Sequence, residues 1–258
     1  MTTHLIEYDN VAYLGFNVGY LEQLPQRVQA FKIKLDLVPA DEYGNYEEPV
    51  LNATVTAARN GSSLWRSSVT HLRTLHQDAK TTLAQVIALM DANPLDSRLP
   101  RLTLELERHA AEFKRQQHEC DRIIECARNV IPRFMDFMNV RIFEYAKRKG
   151  LLVRGNQGNA PETLSSELTH EDNLASAQGV VAWNRRAFST AILSAGNMGA
   201  YCSRLSGLLD STVRKINELK ANESPRRLEV CCRAAASPAR EAQRLINYTF
   251  DQILRFSV

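Results

Sequence analysis

The sequence predicts a mainly α protein: an elongated antiparallel bundle of long helices with a small N-terminal head that contains β-structure. Three observations lead there. No glycine occurs between Gly61 and Gly150, and apolar residues recur at alternating spacings of three and four through that stretch. Eleven glycines and nine prolines in 258 residues are too few for an all-β chain built from many tight turns. Only residues 31–38 show a clean two-residue alternation.

That alternation places Phe31, Ile33, Leu35 and Leu37 on one face and Lys32, Lys34 and Asp36 on the other. It predicts a half-buried strand ended by Pro39 and the turn-forming residues 41–45, with the stretch Val11–Tyr20 as its partner. Two strands alone are marginal, so a head spanning residues 1–50 is expected to lie against a bundle spanning 51–258.

Four helices are predicted, over about 62–92, 97–149, 169–221 and 225–256. In the first, Trp65, Val69, Leu72, His76, Ala79, Leu83, Val86 and Met90 form one stripe that ends at Asn93-Pro94. The second opens at Asp96-Ser97, with Pro100 in its first turn, and its stripe runs from Leu102 through Phe113 to Tyr145. Unbroken, it would be about 75 Å long, and Pro132 is expected to kink it. Residues 150–168 read as one long loop, functional or mobile. A third helix is expected to start at the capping-box candidate Thr169-His170-Glu171-Asp172. Ser224-Pro225 opens the last helical region as N-cap and first residue, and Ser237-Pro238 repeats the signal, which predicts two pieces there. Short connections between the first two and the last two helices imply antiparallel neighbours.

Apolar residues make up 44% and charged residues 24%, as in soluble globular proteins and unlike disordered ones. Residues 1–50 hold 3 basic against 8 acidic side chains, a net of −5, and the remaining residues hold 29 against 21, a net of +8. Arginine outnumbers lysine 24 to 8, which suits bidentate recognition of anions and equally follows from a GC-rich genome. The start, MTTHLIEYDN, has neither a basic nor an apolar signal region. The five cysteines are odd in number and at no zinc spacing, favouring free thiols. The expected location is therefore cytoplasmic, or outside the cell by export without a signal peptide of the usual kind.

From Ala187 a small residue recurs every fourth position, through Ala191, Ala195, Gly199, Ser203 and Gly207. At helical spacing this row makes a shallow ridge along which a second helix can approach closely, and it is the candidate packing or assembly element. The stretch Ala187–Ser203 also lacks any formal charge, yet is short of a membrane span. Long helices with such a segment resemble, in a generic way and through no motif, α-helical pore-forming proteins.

Chemistry-bearing motifs are thin. Gly150 and Gly155 have phosphate-loop separation, but Asn156-Gln157 stand where Lys-Ser/Thr is needed. Glu167 and His170, or His118 and Asp121, have a metal-like spacing without a second pair. His76 and His109 fall on or beside apolar stripes, where a packed, hydrogen-bonded histidine is expected. The adjacent Cys231 and Cys232 lie among arginines and raise lipid acylation, against the commoner buried thiol. No catalytic, cofactor or metal residues are assigned. The candidate anion-binding residues are Arg141, Lys147, Arg148, Lys149 and Arg154 at the end of the second helix, with the pairs Arg185-Arg186, Arg214-Lys215 and Arg226-Arg227.

The leading reading is a non-enzymatic structural or interaction protein whose long helices assemble with copies of themselves or a protein partner. The alternatives are a membrane-active helical protein, pore-forming or bound to an anionic lipid surface, and an RNA-packaging coat or nucleocapsid-like protein. No small-molecule substrate is indicated.

Overall fold

The computed structural model describes residues 44–92, 96–148, 164–219 and 225–252, together with 19, 22 and 23. The described chain is mainly α: α1 spans Gly44–Ala92, α2 Leu99–Arg148, α3 Leu164–Asn217 and α4 Pro225–Gln252. The predicted strand at 31–38 and all but Gly19 of its expected partner lie outside the described residues.

Chain contacts group into two units. The first comprises Met1–Gly15, Leu64–Ile124 and Leu193–Val258, the second Phe16–Ser63 and Glu125–Ile192. In the first unit, parts of all four helices form an up-down-up-down bundle. His71 meets Glu112 at 3.0 Å and Thr82 meets His109 at 3.2 Å, so α1 and α2 run antiparallel. Arg204 meets Glu241 and Lys215 meets the Ala234 carbonyl, each at 2.9 Å, which makes α3 and α4 antiparallel. Asp91 with Arg240 and Lys80 with the Phe250 ring do the same for α1 and α4.

The predicted stripes of α1 and α2 supply core residues of this bundle, joined by residues of α3 outside the predicted row. Leu72, Leu83 and Val86 of α1, Leu106 and Phe113 of α2, and Tyr201, Leu205 and Leu209 of α3 are all buried. α4 contributes a face of small residues, Ala235, Ala236, Ala239 and Ala242, each at most 1% exposed. Four buried alanines on one helix let its neighbours approach closely, as ridge-into-groove packing allows. In the second unit Tyr145, Ala146 and Ala191 are buried, and the buried Arg141 guanidinium pairs with Glu144 at 2.8 Å.

Two helix starts and one expected break differ from the sequence reading, while the start of α2 agrees with it. α1 begins at Gly44 instead of near residue 62, running through Gly61, which is buried, and through the β-branched residues Thr54, Val55 and Thr56. Low intrinsic propensity at such residues is a weak prior that packing overrides. α3 is already helical at Leu164, so Thr169 is an interior residue and not a cap. Thr163, Ser165 and Ser166 are cap-forming types too, and the sequence pattern does not choose among them. α2 starts beyond Asp96, whose carboxylate accepts the Arg98 N–H at 2.9 Å and is held down at about 2 by its hydrogen bonds to Arg98. The last helical region is one helix with Pro238 inside it, not two pieces.

The reason for that last difference lies on another helix. Proline has no N–H, so Pro238 leaves the carbonyl four residues back, that of Ala234, without its helical donor. The Lys215 ammonium of α3 donates to that carbonyl at 2.9 Å. A lysine in the last turn of α3, where it also suits the helix dipole, thus repairs the ladder of α4. Replacing Lys215 by Met is expected to cost about 0.5–1 kcal/mol. The cost should vanish in a Pro238→Ala background, where the backbone of the new residue supplies the missing N–H. A double-mutant cycle in urea reads this directly, and additive effects would sink the explanation.

Candidate functional site

The segment of α3 that the sequence singles out has two faces within the first unit. Inward it presents Ser194, Ala195, Met198, Tyr201, Cys202 and Leu205, all buried. Outward it presents Leu193, Gly196, Ala200, Ser203 and Gly207, all exposed, with Leu193 at 63%. The outward positions follow a 3-4-3-4 spacing, so they form one stripe along the helix. That stripe carries no charge. By contrast, the exposed positions of α2 in the same unit include Glu107, Arg108, Lys114 and Arg115.

The row of small residues at every fourth position does not stay on one face. With 3.6 residues per turn, each step of four advances about 40° around a straight helix. Ala191, Ala195 and Gly199 are buried, while Ser203 and Gly207 have turned out to solvent; the side-chain environment of Ala187 lies outside the described residues. At Gly199 a Cβ would meet the Cys120 Cβ at 3.5 Å and the Gln117 Cγ and carbonyl at 4.0 Å, so α2 and α3 pass closely here. At Gly196 and Gly207 nothing lies within 4 Å of that position.

A buried polar cluster holds the inward face. His76 of α1 has Nδ1 2.5 Å from the Leu72 carbonyl and Nε2 2.7 Å from the Tyr201 hydroxyl. The carbonyl only accepts, so Nδ1 carries the hydrogen and Nε2 accepts from Tyr201. The two rings stack, with centroids 5.6 Å apart and planes 3° from parallel, and the Phe113 edge closes the far side at 5.4 Å. Burial drives the His76 pKa down to about 4 against a partial offset from the Leu72 bond, so the imidazole is neutral. Burial likewise holds Tyr201 well above its ordinary value, despite a hydrogen bond with Thr249. His109 donates from Nε2 to the Thr82 hydroxyl, whose own hydrogen goes to the Asp78 carbonyl. Both histidines are packed groups with partners. Ser194 Oγ and Gln116 Oε1 are also buried, with no hydrogen-bond partner among the described residues.

The basic residues singled out in the sequence stand in different local settings. Arg141 is buried and already paired with Glu144. Lys147 is exposed, Arg148 ends α2, and Lys149 and Arg154 lie outside the described residues. Arg185 and Arg186 are exposed on α3, as is Arg214. Lys215 is committed to the Ala234 carbonyl. Arg226 and Arg227 are exposed in the first turn of α4, the end of the helix dipole that disfavours cations. Sequence reasoning noted Arg240 and Arg244 only as neighbours of the adjacent cysteines and missed Arg204, which the α3–α4 pairing brings to the same carboxylate as Arg244. The four-residue spacing of Arg240 and Arg244 was the one available signal.

The thiols are quiet. Cys120, Cys202 and Cys232 are buried and Cys126 and Cys231 half-buried, and none of them is in a disulfide. Burial pushes Cys120 up to about 12 and Cys202 well above the ordinary thiol range, so neither is a nucleophile at neutral pH. His118 and Asp121 face each other at 3.9 Å in the open, and no group of three metal-ligating side chains occurs among the described residues. Nor is any described helix long and apolar enough to cross a membrane.

No protein family and no curated protein matches the sequence. Among solved structures the chain is similar to XaxA from Xenorhabdus nematophila, with a TM-score of 0.50 and 10% identity over 96% of each chain. At that identity the likeness is one of fold alone.

Proposed function

We propose that the protein is membrane-active and non-enzymatic, and that it meets lipid through the uncharged segment of α3. The observation that carries this reading is the outward stripe Leu193, Gly196, Ala200, Ser203 and Gly207, a solvent-facing surface without charge. A charge at such a position would be costly in hydrocarbon, whereas small and apolar residues are tolerated there. Since no described helix can span a bilayer by itself, the segment acts at the lipid surface or as part of a helical assembly. A fold shared with XaxA over 96% of both chains supports a function exercised by the whole helical protein.

The test is dye release from anionic liposomes by the wild type and by Gly196→Glu. Position 196 is exposed and nothing lies within 4 Å of a Cβ placed there, so the bundle should fold normally. Release by the wild type, reduced at least tenfold in the variant with an unchanged circular-dichroism melt, is the expected result. Equal release from both would remove this face from the mechanism.

A second reading keeps the same surface and changes the occupant. The 3-4-3-4 spacing of the stripe fits the close approach of another helix, as in assembly with further copies of the chain. Light scattering on the wild type and Gly207→Leu separates the two readings: a defined oligomer that the variant dissociates favours assembly before lipid.

A further inference from the structure

We propose that the groove between α3 and α4 in the bundle is a binding site for a phosphate-bearing anion. Four cations line it, Arg204 and Lys215 from α3 and Arg240 and Arg244 from α4, over a floor of Leu208 and Pro238 and a volume of about 730 Å³. Two carboxylates answer them. Glu241 takes one hydrogen bond from Arg204 and one from Arg244, each 2.9 Å long, and Asp91 takes one from Arg240 at 2.6 Å. Lys215 spends a donor on the Ala234 carbonyl and pairs with no carboxylate among the described residues. Two positive charges are therefore left uncompensated on one wall of the bundle.

A solvated ion-pair lattice would match acids and bases one to one along each helix. Here a single carboxylate is shared by guanidiniums from two helices, which holds their forks side by side across the groove. Each guanidinium has five N–H donors and gives one of them to Glu241 or Asp91. The three arginines that carry the remaining donors line the same opening, as does Ser237. A tetrahedral dianion accepts several such bonds at once and carries the two charges the groove lacks, which is why phosphate fits better than a lone carboxylate. Glu241 is then the internal competitor of the ligand. The phosphate belongs to a lipid headgroup or to a soluble metabolite. The site stands without the membrane reading, since the soluble source satisfies the same chemistry.

The experiment uses the full chain with two probes: inorganic pyrophosphate by isothermal calorimetry, and phosphatidylcholine vesicles with and without phosphatidic acid by co-sedimentation. Arg244→Gln and Arg204→Gln are each expected to weaken binding about fivefold, as losing one fully hydrated charge at about 4 Å does. Glu241→Gln is expected to strengthen it by a similar factor, an effect that damage to the fold cannot imitate. Pyrophosphate binding that follows this pattern, without phosphatidic acid binding, assigns the site to a soluble phosphate; the pattern on vesicles assigns it to a headgroup. Absence of saturable binding to both probes overturns the proposal, as does equal affinity in wild type, Arg244→Gln and Glu241→Gln. Dye release that fails to depend on Gly196 leaves this result untouched, so the two proposals fail separately.

Discussion

Acidification from about pH 7 to pH 4 is expected to remove about 3 kcal/mol of stability from the bundle through His76 alone, whose pKa is lowered from 6.5 to about 4. The sign follows from which form is buried. Folding holds the neutral imidazole, so the unfolded chain takes up the proton first as pH falls. This contribution is fully present above pH 6.5, is lost between there and about pH 4, and is constant below. Nothing charged compensates in the cluster. From α2 the ring meets Phe113, from α3 Tyr201 with the protonated thiol of Cys202 beside it, and behind Tyr201 come Thr249 and the Leu245 carbonyl of α4. On protonation, Nε2 would donate to Tyr201, and the tyrosine hydrogen would turn to the Leu245 carbonyl 3.5 Å away. The hydrogen bonds can therefore rearrange, but the charge gains no counter-ion, and desolvation decides the outcome. Urea unfolding of wild type and His76→Gln at pH 7, 5.5 and 4 measures the effect. The surface carboxylates are common to both proteins, so their contribution cancels, and His109, shifted the same way by burial, is common to both as well. The wild type should lose about 3 kcal/mol more than the variant. Parallel losses would show that His76 is not buried as a neutral base.

That cluster also shows what can and cannot be read from the chain. The stripe of α1 was legible because core residues repeat at the helical period: Trp65, Leu72, His76, Ala79, Leu83, Val86 and Met90 are all buried, and Val69 is half-buried. The stripe of α2 was legible in the same way from Leu102 to Phe113. That His76 would be packed and hydrogen-bonded followed from its place on the stripe. That its partner would be Tyr201, 125 residues away, did not, because spacing along a chain says which face a residue occupies and not which helix it meets. The unity of α4 was hidden for a similar reason. Pro238 reads locally as a stop, and the donor that replaces its missing N–H is on α3. The groove cations were hidden because Arg204 is isolated in sequence and gains its meaning only beside Glu241 and Arg244. The extension of α1 back to Gly44 ran against local propensity, which is the weakest of the signals used.

Leucine at position 199 is expected to destabilise the bundle by about 2–3 kcal/mol, while alanine at the same position should stabilise it by about 0.5–1 kcal/mol. The difference comes from one contact. A Cβ at Gly199 would stand 3.5 Å from the Cys120 Cβ, an ordinary van der Waals distance, so alanine fits and reduces the freedom of the unfolded chain. Leucine adds three further carbons to a side chain whose first atom already touches α2. Those carbons must displace Cys120 or Gln117, and Cys120 is fully buried. At Gly207, two turns along the same row, the rotation of the row has carried the position into solvent, and nothing lies within 4 Å. Leucine there should leave stability unchanged or raise it slightly through helix propensity. Thermal unfolding of Gly199→Ala, Gly199→Leu and Gly207→Leu decides the matter. If position 199 tolerates leucine as well as position 207 does, the close approach of α2 and α3 is absent in solution. If it does not, the row divides into a buried half that packs the bundle and an exposed half left for lipid or another helix.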